Sequence, residues 1–441
     1  MEKTIRVDRL SKIEGHANLA VTVEGREVKD VKMEVFEAAQ FYEAVVRAKP
    51  FHEVPITVGR ICGFCSQAHH NTALAAIEEA VGLEPTRQTR LLRELLQIGQ
   101  MLTSHSLHLY FLALPDYLGF DNAIQMASKH PAYVQQALEL KHVATELVVA
   151  VGAREIHSIN ALVGGFSSVP TKSKIGVLAN KLKQSKQAAL ETVKLFGSLK
   201  TPELESPPRY ACLSAEGEYA IMGGIIESSE CKTPSEAGKC IVLHKNEYRR
   251  YMQEYLKPHS TSKFATFGGA TYFVGALARV NNNFSRLSED ARKAALETST
   301  KFPNASPFAN NLAQAIELVH FHDRAIEILA GLSKTIKQEP LPHIAPKAGK
   351  GIGVTEAPRG TLIHEYEVGA DGRVTAANIV TPTAQNLRHM EETIREYVPW
   401  LLHLPDEKIS LELEKLVRAY DPCFSCSTHF LKLKLDRKQS R

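Results

Sequence analysis

Apolar positions recur every three or four residues over four long stretches of the chain. From Thr86 onward, Leu91, Leu95, Ile98, Leu102 and Leu109 form one stripe, with His105 on the same face. Val134, Leu138, Val143 and Leu147 form a second, and Ile175, Leu178, Leu182 and Val193 a third. Leu312, Ile316, Val319, Ile326 and Leu329 form a fourth. A period of three to four belongs to helices that bury one face. It predicts a helix starting after Thr86, a candidate N-cap, and others over about 132–152, 173–196 and 309–332.

Near the N-terminus the period changes to two. Leu19, Val21 and Val23 alternate with polar or small residues, Gly25 marks a turn, and Val31, Met33 and Val35 alternate again. This predicts a β-hairpin over 17–36, and a second over 361–380 around Gly369 and Gly372. The stretch Gly349, Gly351, Gly353 resembles a phosphate loop only superficially. It opens no helix and reads as a flexible turn. Long helices with small antiparallel β pieces near the N- and C-termini predict an α+β fold, mainly helical, around a central long-helix bundle.

Composition narrows the class. The chain has 441 residues, 44% of them apolar and 23% charged, as expected of a globular body with a large core. Pro, Gly and Ser are scattered and no repeat is visible, so residues 1–429 read as a single domain. No apolar run approaches the roughly 20 residues that span a bilayer. The N-terminus is charged and lacks the apolar core of a signal peptide, so the expected location is the cytoplasm. Net charge is only +4, too little to argue for nucleic acid. The last twelve residues, FLKLKLDRKQSR, hold five basic side chains and one acidic one and account for the whole excess.

The seven cysteines carry the chemistry. An odd number argues against a disulfide framework. Four of them form two C-x-x-C pairs, Cys62 with Cys65 and Cys423 with Cys426, each followed within four residues by a histidine. Two such pairs offer four thiolates to a soft or borderline metal. Spacing alone leaves a structural zinc site or an iron–sulfur centre open. The separation is unusual for a zinc module, however, because 357 residues lie between Cys65 and Cys423. A site joining them would tie the first third of the chain to its end. Cys212, Cys231 and Cys240 lack cluster spacing, so no iron–sulfur cluster is expected in this chain.

RICGFCSQAH (residues 60–69) and DPCFSCSTH (421–429) resemble the paired signature motifs of nickel–iron hydrogenase large subunits. The resemblance runs along nearly the whole chain. It includes SKIEGH (11–16), His105 and His108 with Asp116, GAREIH (152–157) with Gly164 and Gly165, VGALAR (274–279), EAPRG (356–360) and TPTAQN (381–386), all in the family's order. Ser158 and Ala276 stand where the family often has proline.

The resemblance implies an oxidoreductase that cleaves dihydrogen reversibly to protons and electrons. Cys62 and Cys423 would be terminal nickel ligands. Cys65 and Cys426 would bridge to an iron carrying carbonyl and cyanide. Glu14 would relay protons from Cys423. Arg359 would hang over the open metal position beside Pro358, Asp116 and Asp421. Thr383 would donate to a cyanide and His69 to a bridging sulfur, while His105 and His108 would pack rather than ligate. Glu43, the Leu387 carbonyl and His429 would hold a magnesium-type cation. Residues 430–441 would be an extension that a maturation protease removes after His429. Electrons would leave through an iron–sulfur small subunit, then through flavin or iron–sulfur subunits to an acceptor such as NAD(P) or ferredoxin.

Two other readings use the same residues: a hydrogen-sensing member that does not turn over, and a zinc scaffold held by the four cysteines. A quinone-reactive relative from a respiratory complex usually lacks the cysteines that this chain keeps.

Overall fold

The computed structural model describes residues 2–38, 41–206, 209–228 and 241–428. The predicted helices are present at Arg87–Leu107, Pro131–Gly152, Lys172–Ser198 and Ala309–Thr335. Thr86 caps the first: its side-chain oxygen accepts from the Thr89 amide at 3.1 Å. That helix runs on into a wider π-helical turn over His108–Ala113, a local irregularity that often sits beside functional sites. Ala309–Thr335 packs along Lys172–Ser198, and Arg87–Leu107 lies between Pro131–Gly152 and Ala309–Thr335. Among the described residues, no helix is long and apolar enough to cross a membrane.

Both predicted hairpins are present, and each belongs to a three-stranded antiparallel sheet. At the N-terminus, Ala17–Glu24 pairs with Glu27–Val35 on one side and with Glu2–Val7 on the other. Toward the C-terminus, Gly360–Val368 lies between Gly349–Ala357 and Val374–Val380. Small sheets also occur in the middle of the chain, where the sequence pattern placed none: Ala161–Leu162 pairs with Gly165–Phe166, and two more follow. One is Ala211–Ser214, Ile225–Ser228 and Val242–Leu243; the other is Met252–Leu256 with Lys263–Phe267.

The glycine-rich segment is a strand, not a flexible turn. Alternation along Gly349–Ala357 sends Ile352 and Val354 into a second apolar core with Leu213, Ile226 and Val274. Gly349, Gly351 and Gly353 face the other way, onto the helix Ser66–Val81. A Cβ on each would lie 1.9, 1.9 and 2.0 Å from the carbonyl oxygens of Ala80, Ala76 and Thr72. Two strand residues span about 6.8 Å and four helix residues about 6.0 Å. A glycine at every second strand position therefore meets every fourth helical carbonyl. Only hydrogen fits between the two backbones.

Candidate metal centre

The first dithiol lies where two short elements hand over. The helix Val54–Val58 ends, Cys62 follows in the loop, and Cys65 is the residue before the helix Ser66–Val81. The second dithiol follows the helix Asp406–Ala419, where Asp421 takes a left-handed φ of 50° and reverses the chain. Cys423 then pairs with Glu14 as an isolated parallel bridge, and Cys426 sits in the short turn Ser425–Ser427. The Thr383 hydroxyl, in the first turn of the helix Pro382–Leu401, accepts from the Cys423 amide at 2.9 Å.

All four thiols are buried, and their sulfurs lie within 4.8 Å of one another. Cys62 and Cys423 are 3.3 Å apart, Cys65 and Cys426 2.9 Å, and Cys423 and Cys426 2.9 Å. Metal–sulfur bonds of about 2.3 Å put the ligands of one ion at most about 4.6 Å apart, so the cluster has the size of a shared coordination sphere. Burial pushes the thiols of Cys65, Cys423 and Cys426 up. Hydrogen bonds from Cys423, Cys426 and Cys65 hold Cys62 well below the usual thiol range. Four thiolates in one dry pocket need the charge of a metal to coexist. The donor set fits a thiophilic metal.

Arg359 reaches the centre from the two-residue turn between Gly349–Ala357 and Gly360–Val368, where Gly360 adopts φ 131°. Its Nε donates to the Asp421 carbonyl at 2.9 Å and its Nη2 to Asp421 Oδ1 at 3.0 Å. Its Nη1 has no hydrogen-bond partner among the described groups. Burial works against the guanidinium charge, but Asp421 and the thiols of Cys423, Cys62 and Cys65 outweigh it and raise the pKa. The two oxygens of Asp116 take the Lys12 ammonium and, at 2.6 Å, Arg418 Nη1. Pro358 contributes its carbonyl to Arg279 Nη2 at 3.1 Å.

Glu14 is half-buried beside the second dithiol. Ser425 donates to it twice, from its hydroxyl at 2.5 Å and its amide at 3.2 Å. Burial first, and the charge of Cys62 second, raise its pKa, against hydrogen bonds from Ser425 and Cys423. His69 stands one turn into the helix that begins after Cys65, and its Nδ1 lies 3.0 Å from Nε2 of His364. The opposite nitrogen of His364, Nδ1, lies 2.7 Å from the Tyr366 hydroxyl. His105 and His108 are hydrogen-bonding core residues, to Glu317 at 2.7 Å and to Gln314 at 2.6 Å.

Away from the sulfurs, Glu43 Oε1 accepts from the Lys263 ammonium and the Ile379 amide, both at 2.9 Å, and Lys263 also reaches Glu254 at 3.1 Å. Leu387 is buried within the helix Pro382–Leu401. His429 and the expected cleavage point lie outside the described residues, as do Cys231, Cys240 and the basic tail. Ser425 lies within the second motif, yet nothing in the sequence singled out its grip on Glu14.

The sequence model of the family described as nickel-dependent hydrogenase matches residues 41–136 and 233–429, bracketing both dithiols. The chain belongs to that family. This hydrogenase chain is 37% identical over 432 residues to the alpha chain of sulfhydrogenase 1 from Pyrococcus furiosus, covering 97% of the chain and 98% of the relative. To the alpha chain of sulfhydrogenase 2 from the same organism it is 32% identical, covering 97% and 100%. The solved NAD+-reducing [NiFe]-hydrogenase in its H2-reduced state superposes with a TM-score of 0.84 at 25% identity, covering 97% of this chain and 99% of that one. The chain is therefore a hydrogenase large subunit, an oxidoreductase that cleaves dihydrogen to protons and electrons. Its buried four-cysteine cluster supplies a donor set for the nickel on which that family depends.

Proposed function

We propose that Cys62 and Cys423 are the terminal nickel ligands, Cys65 and Cys426 the bridges to iron, and Glu14 and Arg359 the groups that handle proton and charge. The observation that carries this is the closure of the four sulfurs to within 4.8 Å, with Glu14 bridged to Cys423 and hydrogen-bonded to Ser425 in the turn that holds Cys426. When bound, the metal pair supplies an electron-rich Lewis-acid position at which dihydrogen is polarised. The protein does the rest. The Cys423 sulfur takes the proton, and the Glu14 carboxyl, its pKa raised by burial, receives it and passes it outward. Arg359, held by Asp421 on one side, keeps a fixed positive charge over the sulfurs. Asp116 steadies Lys12 and Arg418 at the rim.

In this reading the iron carries carbonyl and cyanide. The Thr383 hydroxyl, which accepts from the Cys423 amide, keeps its own hydrogen for a cyanide. His69, in the first turn after Cys65, serves a bridging sulfur. Glu43, the Leu387 carbonyl and His429 hold a divalent cation, with Glu43 shared with the Lys263 ammonium.

The electrons need a carrier. Cys212, the described cysteine outside the centre, is fully buried, and no further cluster is expected in this chain. An iron–sulfur small subunit takes the electrons, and flavin or iron–sulfur subunits pass them to a soluble acceptor such as NAD(P) or ferredoxin, in the cytoplasm. Phe64 supports this: it lies between the two cysteines of the first motif yet is 41% exposed, and Ile156 and Ile159 are 45% and 40% exposed. Their loop is strapped to the dithiol helix through the His157 amide and Ser66 Oγ at 3.0 Å. Such an apolar rim suits a partner docked over the sulfurs. Residues 430–441 are removed by a protease on maturation.

Infrared spectroscopy and metal analysis of the purified complex test the reading. Nickel and iron in equal amounts in the large chain separated from its iron–sulfur partners, with bands in the carbonyl and cyanide stretching region, are expected. Zinc alone, without such bands, would leave a scaffold in place of a catalyst.

A further inference from the structure

The segment VGALAR ends in Arg279, which lies on the short helix Ala276–Asn283 and is completely buried. Its guanidinium spends every donor. Nε and Nη2 donate to Glu317 at 2.6 and 2.7 Å, and Nη1 donates to Glu356 at 3.0 Å. The remaining bonds go to main-chain carbonyls, Nη1 to Ala357 at 3.0 Å and Nη2 to Pro358 at 3.1 Å. These two residues immediately precede Arg359.

Glu317 is itself held in place. The Tyr219 hydroxyl donates to Oε1 and His105 Nε2 to Oε2, each at 2.7 Å. Burial lowers the His105 pKa, and because the carboxylate facing Nε2 only accepts, Nε2 carries a proton and donates. Glu356 accepts from the Leu213 amide and the Thr361 hydroxyl, each at 2.8 Å. A buried guanidinium needs a carboxylate partner to balance its charge, and Glu317 alone would provide it. Two further bonds aimed at consecutive backbone carbonyls do something different: they fix a turn.

That turn is packed from the same side by the same segment. A Cβ on Gly360 would lie 2.9 Å from the Gly275 amide, and one on Gly275 would lie 3.3 Å from the Arg359 carbonyl. From the opposite side Arg359 holds Asp421. The turn is thus pinned at its backbone by Arg279 and at its side chain by Asp421.

We propose that Arg279 is a positioning residue for dihydrogen cleavage: backed by Glu317, His105 and Tyr219, it fixes the Pro358–Arg359 turn and so sets where the Arg359 guanidinium stands over the dithiols. The proposal rests on the reading of Arg359 given above. It joins the H-x-x-H helix and the VGALAR segment to the centre without either touching the sulfurs.

A double-mutant cycle in the complete enzyme complex, with uptake rates normalised to nickel content, tests it. Arg279→Lys keeps the charge but loses the fork. It should lower uptake about tenfold or more. In an Arg359→Lys background the same change should cost less than about twofold, because there is no longer a guanidinium to place. A crystal structure of Arg279→Lys should show the Arg359–Asp421 contacts displaced. Tyr219→Phe, which removes one hydroxyl from Glu317, should give a smaller loss with the same non-additivity, and it decides the matter if Arg279→Lys does not assemble. Fully additive losses, or an undisturbed Arg359–Asp421 pair in a slowed variant, would overturn the proposal alone. Full activity of Arg359→Lys would overturn the reading of Arg359 and this proposal with it.

Discussion

The Glu14 carbonyl accepts the amide of Phe424 at 3.0 Å, which places the acid's own backbone alongside Cys423. The carboxyl then turns back onto Ser425. Main chain and side chain both anchor it, so the carboxyl proposed to move protons is fixed beside the Cys423 sulfur proposed to give them up. Glu14→Gln keeps the shape and the acceptor for Ser425 but cannot be protonated and released. Isotope exchange between dihydrogen and water should fall by about a hundredfold or more, with nickel and iron content unchanged. Full exchange in that variant would remove Glu14 from the proton route.

Cys423→Ser replaces a soft ligand with a hard one at a sulfur that lies close to both Cys62 and Cys426. Uptake should vanish and nickel should be lost from the purified chain, because oxygen donors do not compete with thiolates for this metal. Metal analysis checks it, and retained nickel with retained turnover would contradict the ligand assignment.

Acid should loosen the body before it touches the sulfurs. Burial depresses His70, His320 and His322 to about 4, so all three are neutral in the fold. An unfolded histidine takes a proton below about pH 6.5. Between that value and about 4 the unfolded chain binds more protons, and stability falls as pH falls. At about pH 5 each histidine costs about 2 kcal/mol relative to neutral pH. Melting temperatures at about pH 7.5 and 5 should differ accordingly, and His322→Asn should flatten the slope. A flat profile in the parent would mean these imidazoles are charged in the fold.

Gly351→Ala should be severe. Its methyl group would lie 1.9 Å from the Ala76 carbonyl oxygen, and backbone cannot rotate away. A loss of about 3 kcal/mol or more is expected, together with poor metal loading, since the displaced helix begins beside Cys65. Gly331→Ala is the control. It meets nothing within 4 Å in the helix Ala309–Thr335, and should be neutral or stabilising by up to about 1 kcal/mol. Equal behaviour of the two variants would mean that the strand and helix are not in contact.

The sequence showed what has a one-sided pattern or a recognisable neighbour. Lys172–Ser198 could be read because it buries one stripe, Arg87–Leu107 because its leucines recur at helical spacing though Leu95–Leu102 is buried all round, and the Ala17–Val35 hairpin because it alternates. Ser66–Val81 was invisible to periodicity because nearly every residue of it is buried, small and polar ones included. The glycine strand was misread for a related reason: its important face consists of missing side chains. At the centre, the four cysteines, Glu14 and Thr383 could be named from their motifs. The grip of Arg279 on Glu317 could not, because the partners stand 38 residues apart on separate helices. The pairs that Asp116 makes with Lys12 and Arg418 had no signal in the sequence either.

The interlocked glycines and helical carbonyls behave like a toothed rack. One end of the helix carries Cys65, and the far end of the strand carries Arg359. Sliding either element by a single tooth would move thiol and guanidinium past each other by about 6 Å, with no intermediate setting in which the teeth mesh. Insertions and deletions in surface loops away from the two dithiols can be absorbed. Within 65–81 and 349–359, length itself is the specification, and a one-residue indel there should abolish the centre even if every ligand is kept.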